Sequence, residues 1–170
     1  LVEIQTNYGN MFVELSDKTP LHKQNFIKLA KQGYYDSTLF HRVIYGFMIQ
    51  GGDPDSKNAP LTKVLGNGGP DYTIPAEFDT TIFHKKAMIA AAREPDNVNP
   101  KKASSGSQFY IVHGRKFKLN DLKSMKKKYP NMVLGESQVK SYGEVGGAPF
   151  LDNNYTVFGE IIKGIEVIDK

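Results

Sequence analysis

Apolar and polar residues alternate from the first positions of the chain. Val2-Glu3-Ile4-Gln5-Thr6 is followed by a Gly- and Asn-rich stretch at 7–10, and the alternation resumes through Met11, Phe12, Val13, Glu14 and Leu15. The period of two on either side of turn residues predicts a β-hairpin. Thr19-Pro20 then offers an N-cap and a proline at the first helical position. Phe26, Leu29 and Ala30 form an apolar stripe and Gly33 a stop, which predicts a helix of about three turns. Segments 38–44, 46–50, 87–93, 107–113 and 155–162 are short β-type runs with turn residues between them, Gly51-Gly52-Asp53-Pro54 among these, and a last apolar run covers 165–168. Many short strands with one early helix predict a mainly β protein built as a closed antiparallel barrel.

Segment 119–129 breaks this pattern. Leu119, Leu122, Met125 and Tyr129 recur at helical spacing with lysines between them, so a second helix is expected, its lysines facing water and Pro130 ending it. Residues 131–149, with Gly135, Gly143, Gly146 and Gly147, read as a long surface loop. There is no internal repeat.

Composition narrows the chemistry. A chain of 170 residues that is 39% hydrophobic and 24% charged fits one soluble globular domain, 1–170, and contains no apolar run near the roughly 20 residues of a membrane helix. With no cysteine, disulfides, a thiolate nucleophile and Cys-ligated zinc are excluded. His22, His41, His84 and His113 show no metal-ligand spacing, so no metal and no cofactor is expected. The first residue is Leu1, which suggests trimming, with any targeting signal upstream. Net charge is +4, but it is local: seven cations of segment 115–130, from Arg115 to Lys128, stand against Asp121 alone. Such a run is usually a solvated face, with an acidic partner as the alternative. It lacks the interleaved stacking aromatics that nucleic-acid binding would need, so no nucleic-acid partner is expected.

The most informative stretch is Phe40-His41-Arg42-Val43-Ile44-Tyr45-Gly46-Phe47-Met48-Ile49-Gln50-Gly51-Gly52-Asp53. Alternation puts Arg42 on the opposite face from His41 and Val43, and beyond the Tyr45-Gly46 break Phe47, Met48 and Gln50 can converge near it, giving an apolar pocket with a cation at its lip. Taken singly, each of these side chains has a bland reading: a solvated arginine, core apolar residues and a surface amide. His41 has no specified partner for acid–base work, and structural hydrogen bonding is expected of it. Gly66-Asn67-Gly68-Gly69 lacks the Gly-Lys-Ser/Thr of a phosphate loop and reads as a turn.

That stretch resembles the signature of the cyclophilins, and the likeness extends from Val2 to Asp169 through Asn25-Phe26-Ile27-Lys28-Leu29-Ala30, Ser105-Gly106-Ser107-Gln108-Phe109-Tyr110-Ile111, Leu151-Asp152 and Tyr155-Thr156-Val157-Phe158-Gly159. The resemblance implies an eight-stranded barrel capped by two helices, with proline bound on its outer face, and a peptidyl-prolyl cis/trans isomerase that assists protein folding. Arg42 matches the family's catalytic arginine, Phe47 and Met48 its proline-pocket wall, Gln50 and Gln108 its groove amides. Tyr110 and Leu151 match further pocket positions and Gly66 a groove glycine. Ala92 and Arg93 match the stretch whose backbone bonds the bound peptide, with the register between the two left open. Phe150 stands where many members carry tryptophan and Tyr155 where they carry histidine, both as in bacterial members, and the loss of the indole N–H donor implies weaker cyclosporin-type inhibition rather than weaker isomerisation.

Against the family pattern, 115–149 is long enough to read as an insertion containing an extra helix and loop, and the last family strand is not reached. The implied partners are proline-containing peptides and unfolded proteins, and the implied state is a monomer. The bacterial wording leans toward an exported or periplasmic protein, with a cytoplasmic one as the alternative. Two other functions stay open: a binding module without turnover, and an isomerase delivered to a partner through 115–149.

Overall fold

The computed structural model describes residues 1–170. The opening hairpin consists of β1 (Val2–Thr6) and β2 (Gly9–Leu15), in register from Val2 opposite Val13 to Thr6 opposite Gly9. Helix α1 (Pro20–Lys31) follows, with proline in its first turn and His22, Phe26 and Leu29 buried. Gly33, at φ 65°, stands just beyond its end, where a left-handed residue terminates a helix. Thr19 sits at the N-cap but its hydroxyl makes no capping bond and is buried without a partner. The carboxylate of Glu77 takes over, accepting from the backbone N–H groups of Leu21 at 3.1 Å and His22 at 3.0 Å. A remote anion thus satisfies the exposed donors of the first turn and complements the helix dipole.

The remaining strands are β3 (Arg42–Ile44), β4 (Met48–Gly51), β5 (Thr73–Ile74), β6 (Met88–Ala91), β7 (Ser104–Ser105), β8 (Phe109–Val112) and β9 (Val157–Lys163). Strands β3, β4, β6, β8 and β9 are shorter than the runs that predict them, and β5 and β7 lie outside every predicted run. Residues 38–41 stay outside β3, where the N–H of Leu39 bonds the hydroxyl of Ser56 at 2.9 Å instead of a neighbouring strand. The final apolar run forms a 3₁₀ turn at Ile165–Val167.

Seven strands make one antiparallel sheet in the order β1-β2-β9-β6-β8-β4-β3, and β5 pairs with β7 in a separate ribbon. The expected closed eight-stranded barrel is therefore corrected to a curled half-barrel: β1 and β3 are free edges rather than neighbours. Between them lies a trough of about 940 Å³, lined on its apolar side by Val2, Ile4, Phe40, Val43 and Ile49.

The 115–149 segment also departs from expectation. Helix α2 (Leu119–Lys128) occupies the predicted place, but the expected long loop contains a further helix, α3 (Glu136–Glu144). Its sequence carries Gly143 and is flanked by glycines, which conceals a helix whose formation rests on burying Tyr142. Leu122 of α2, Tyr142 of α3, Met132 between them, Phe117 and Phe83 form a small core of their own. The segment is thus packed into the body, and the protein has three α-helices.

Burial along β8 shows how the fold creates a site. Phe109 and Ile111 point into the main core with Met11, Val13, Phe26, Ile89 and Ile161. Tyr110 and Val112, on the opposite face, join a second cluster with Met48, Met88, Ala90, Leu151 and Val157. Because both faces are covered, β6 and β8 are buried at every position, which hides the alternation expected of a strand with one wet face.

Candidate active site

The strand register sets Arg42 opposite Gln50 and Gln50 opposite Tyr110. Residues directly opposite share a face, so a cation, an amide and an aromatic ring stand in one row on the outer face of the sheet. The guanidinium of Arg42 donates through Nη1 to Gln50 Oε1 at 3.3 Å. Gln50 Nε2 donates to Gln108 Oε1 at 3.1 Å, and Gln108 Nε2 donates to the carbonyls of Gly66 and Gly68 at 2.9 and 2.7 Å. Two side-chain amides therefore connect Arg42 to the backbone of the 66–69 turn.

Asp53 anchors the other end of this chain. Its side chain accepts from the N–H groups of Asp55 at 2.8 Å and Gly66 at 2.6 Å, and from Gly68 at 3.4 Å. Burial alone would raise its pKa, but the N–H donors of Gly66, Asp55 and Gly68 outweigh it and hold the carboxyl below the ordinary carboxylate range. Gly66 has φ 108°, open to glycine and rare for other residues.

Beside Arg42 lies a cavity of about 150 Å³ walled by Phe47, Met48, Tyr110, Leu151 and Tyr155, with Gln50, Ala92 and Arg93 at its rim. That is room for a small apolar ring rather than a drug-sized ligand. The inner trough is larger but belongs to the core side of the sheet, and only the smaller cavity combines apolar walls with the Arg42 guanidinium. No residue of 115–149 lines it.

Tyr110 is fixed from behind. Its hydroxyl is 2.9 Å from His84 Nε2, and His84 Nδ1 is 2.9 Å from Asp152 Oδ1. Asp152 also accepts from the His84 backbone N–H at 2.9 Å and from the Tyr142 hydroxyl at 2.6 Å. Both ring nitrogens of His84 are thereby partnered, one by the carboxylate and one by the phenol, so the ring of Tyr110 faces the pocket while its polar end is satisfied inside. Burial pushes the phenol of Tyr110 well above its usual pKa, and burial together with Asp152 does the same to Tyr142.

The other predicted site residues fall around this centre. Arg93 stacks its guanidinium 4.4 Å from the centre of the Tyr155 ring and bonds the Asn154 carbonyl at 2.6 Å. Ala92 donates its N–H to Gln108 O at 3.0 Å and accepts from Ser105 at 2.8 Å, whereas the backbone of Arg93 has no main-chain partner. Phe150 lies outside the cavity lining and stacks on Phe47 with ring centres 5.5 Å apart. Gly66 and Gln108 also stand behind the pocket, as supports for Gln50. His41 is not part of it: both ring nitrogens are buried without a hydrogen-bond partner, contrary to the structural bonding expected of it, and burial lowers its pKa, with Asp53 pulling the other way. The remaining histidines are separate, His22 beside Glu77, His84 beside Asp152 and His113 beside Asp169.

The family description "Cyclophilin type peptidyl-prolyl cis-trans isomerase/CLD" matches residues 1–170. The chain belongs to the cyclophilin family. It is 35% identical over 170 residues to a putative peptidyl-prolyl cis-trans isomerase of Staphylococcus epidermidis, covering 99% of this chain and 78% of that one. Over 165 residues it is 37% identical to one from Staphylococcus aureus, covering 96% and 76%. Among solved structures, the crystal structure of a Cryptosporidium parvum cyclophilin type peptidyl-prolyl cis-trans isomerase superposes with a TM-score of 0.67 at 26% identity, covering 98% of this chain and 80% of that one. A second structure of that isomerase, in the presence of the dipeptide Ala-Pro, gives 0.63 at 25% identity, with 98% and 81% covered.

This cyclophilin is accordingly a peptidyl-prolyl cis/trans isomerase. The family description spans 115–149 with the rest of the chain, and no insertion is shown there. Sequence reasoning missed the residues behind the pocket, His84, Tyr142 and the carboxylate of Asp152. His84 and Asp152 are 68 positions apart, and only the closeness of Asp152 to Leu151 signalled a place near the site.

Proposed function

We propose that Arg42 stabilises the twisted amide of an X-Pro bond held over the Phe47–Met48–Tyr110–Leu151 pocket, and that the protein uses this activity to assist folding of proline-containing polypeptides as a monomer. Rotation about the bond faces a barrier of roughly 20 kcal/mol because amide resonance is lost on the way. As it is lost, the prolyl nitrogen becomes pyramidal and gains a lone pair that accepts a hydrogen bond. A guanidinium is a permanently charged planar donor, suited to meet that lone pair without any proton being transferred.

An acceleration on the order of a hundred-thousandfold requires about 7 kcal/mol of differential binding. One charge-assisted hydrogen bond contributes about 1.5–3 kcal/mol. The remainder falls to gripping the ring while the residue before it turns, and to electrostatics strengthened where the apolar wall excludes water. The observation that carries this reading is the fixed Arg42 guanidinium: bonded to Gln50, 6.0 Å from the centre of the Phe47 ring, and at the lip of a cavity of about 150 Å³. Cavity residues Met48 and Tyr110 are almost fully buried, so the grip is rigid.

The folding role is tested on a client protein whose refolding is limited by a prolyl isomerisation phase of tens of seconds. Native protein shortens that phase and Arg42→Ala does not. Equal refolding rates with and without the native protein would contradict the role.

A further inference from the structure

The aromatic contacts do not stop at the pocket. From the Arg42 guanidinium, Phe47 lies 6.0 Å away, Phe150 5.5 Å beyond it, and Tyr129, the residue that closes α2, a further 5.8 Å on. The α2 exit is pinned to the pocket wall as well: Asn131 Nδ2 donates to Asn154 Oδ1 at 2.9 Å, and Asn153 Nδ2 donates to the Asn131 carbonyl at 2.9 Å. Asn154 precedes the pocket residue Tyr155. The last turn of α2 is therefore held against the groove at two points.

That turn carries Lys126, Lys127 and Lys128. Lys126 is engaged by the Pro130 and Met132 carbonyls. Lys127 and Lys128 are exposed, and Lys128 Nζ lies 5.5 Å from the Tyr129 ring centre. None of the seven cations from Arg115 to Lys128 forms an ion pair, whereas Lys18, Lys23, Lys63, Lys85, Lys86 and Lys102 all do. Positive charge at a helix C-terminus favours the helix dipole, which accounts for lysines there but not for the place of Lys128 at the end of a row of rings.

We infer that Phe150, Tyr129 and Lys128, with the charge of the neighbouring exposed Lys127, form a subsite that favours peptides with an acidic side chain a few residues to one side of the isomerising proline. The path from Phe47 to Tyr129 is at most ~11 Å, about three residues of extended chain. The rings supply a surface for the peptide and the ammonium groups meet a carboxylate at its end. This rests on the Arg42 pocket as the proline site, and the test separates the two.

Exchange NMR on peptides centred on Ala-Pro, with Glu or isosteric Gln placed in turn at each of three positions before and after the proline, gives a Glu-over-Gln preference in catalytic efficiency. A preference of roughly three- to tenfold at low salt is expected on one flank, fading toward unity as salt screens it. In the double variant Lys127→Glu/Lys128→Glu it inverts, and in Tyr129→Ala it shrinks. Because each preference is a ratio measured on one preparation, it does not depend on the fraction of folded protein. No preference on either flank, equal preference on both, or a preference that survives charge reversal would overturn the subsite. If Arg42→Ala keeps full turnover, the pocket assignment itself falls, and the subsite with it; if Arg42→Ala loses turnover while Glu and Gln peptides are treated alike, only the subsite falls.

Discussion

Arg42 and Gln50 face each other across the β3–β4 pair, and the guanidinium donates to the Gln50 side-chain carbonyl at 3.3 Å. An exposed arginine on a three-residue edge strand would otherwise sample many rotamers. Gln50 restricts it, Gln108 holds Gln50, and the carbonyls of Gly66 and Gly68, set by Asp53, hold Gln108. Replacing Gln50 with Leu removes the acceptor while keeping apolar volume. A loss of about 10- to 100-fold in kcat/KM is expected, from a charge-assisted bond of about 1.5–3 kcal/mol, with an unchanged melting temperature to within a few degrees. Gln108→Leu acts one bond further away and loses less. Steady-state isomerisation kinetics on the three proteins check the order.

The bonds behind Tyr110 predict a stability effect. Tyr110→Phe keeps the ring in the pocket but leaves His84 Nε2, almost fully buried, without its partner, at about 1–3 kcal/mol. Asp152→Ala strips His84 of two bonds and Tyr142 of one, so a larger loss of over ~3 kcal/mol is expected. Urea unfolding midpoints at constant m-value measure both.

Stability should fall in mild acid through His22. Burial lowers its pKa below the ordinary 6.5, and Glu77 only partly offsets this. A histidine with a depressed folded-state pKa binds fewer protons folded than unfolded. Its contribution is therefore complete above about pH 6.5 and is lost as pH falls from there toward the lowered value. Between pH 7.5 and 5.5 the urea midpoint of the native protein drops, and in His22→Gln the drop is smaller. An equal drop in both would contradict the assignment.

Much of this was legible in the sequence because it is local. The β1–β2 hairpin, α1 and α2 follow from periodicity and breakers a few residues apart, and Arg42, Phe47, Met48 and Gln50 lie on one short hairpin whose register brings them together. Residues joined only by tertiary packing were not legible. Glu77 caps α1 from 55 positions away, and His84 and Asp152 meet behind Tyr110 with no spacing to announce them. Helix α3 was hidden by its glycines, since the burial of Tyr142 that favours it depends on Phe83 and Phe117 elsewhere in the chain. The half-barrel was missed for a related reason: alternation shows which face of a strand is buried but not which edge remains unpaired.

The most direct test of the central claim is exchange NMR of an Ala-Pro-Phe peptide with sub-stoichiometric protein, native against Arg42→Ala, each checked for its fold by amide spectra. The expected result is cis/trans exchange accelerated by the native protein and reduced roughly 10²- to 10³-fold by the substitution, the usual cost of removing one electrostatic donor to a transition state. A folded Arg42→Ala protein that exchanges the peptide at the native rate would contradict the role assigned to Arg42.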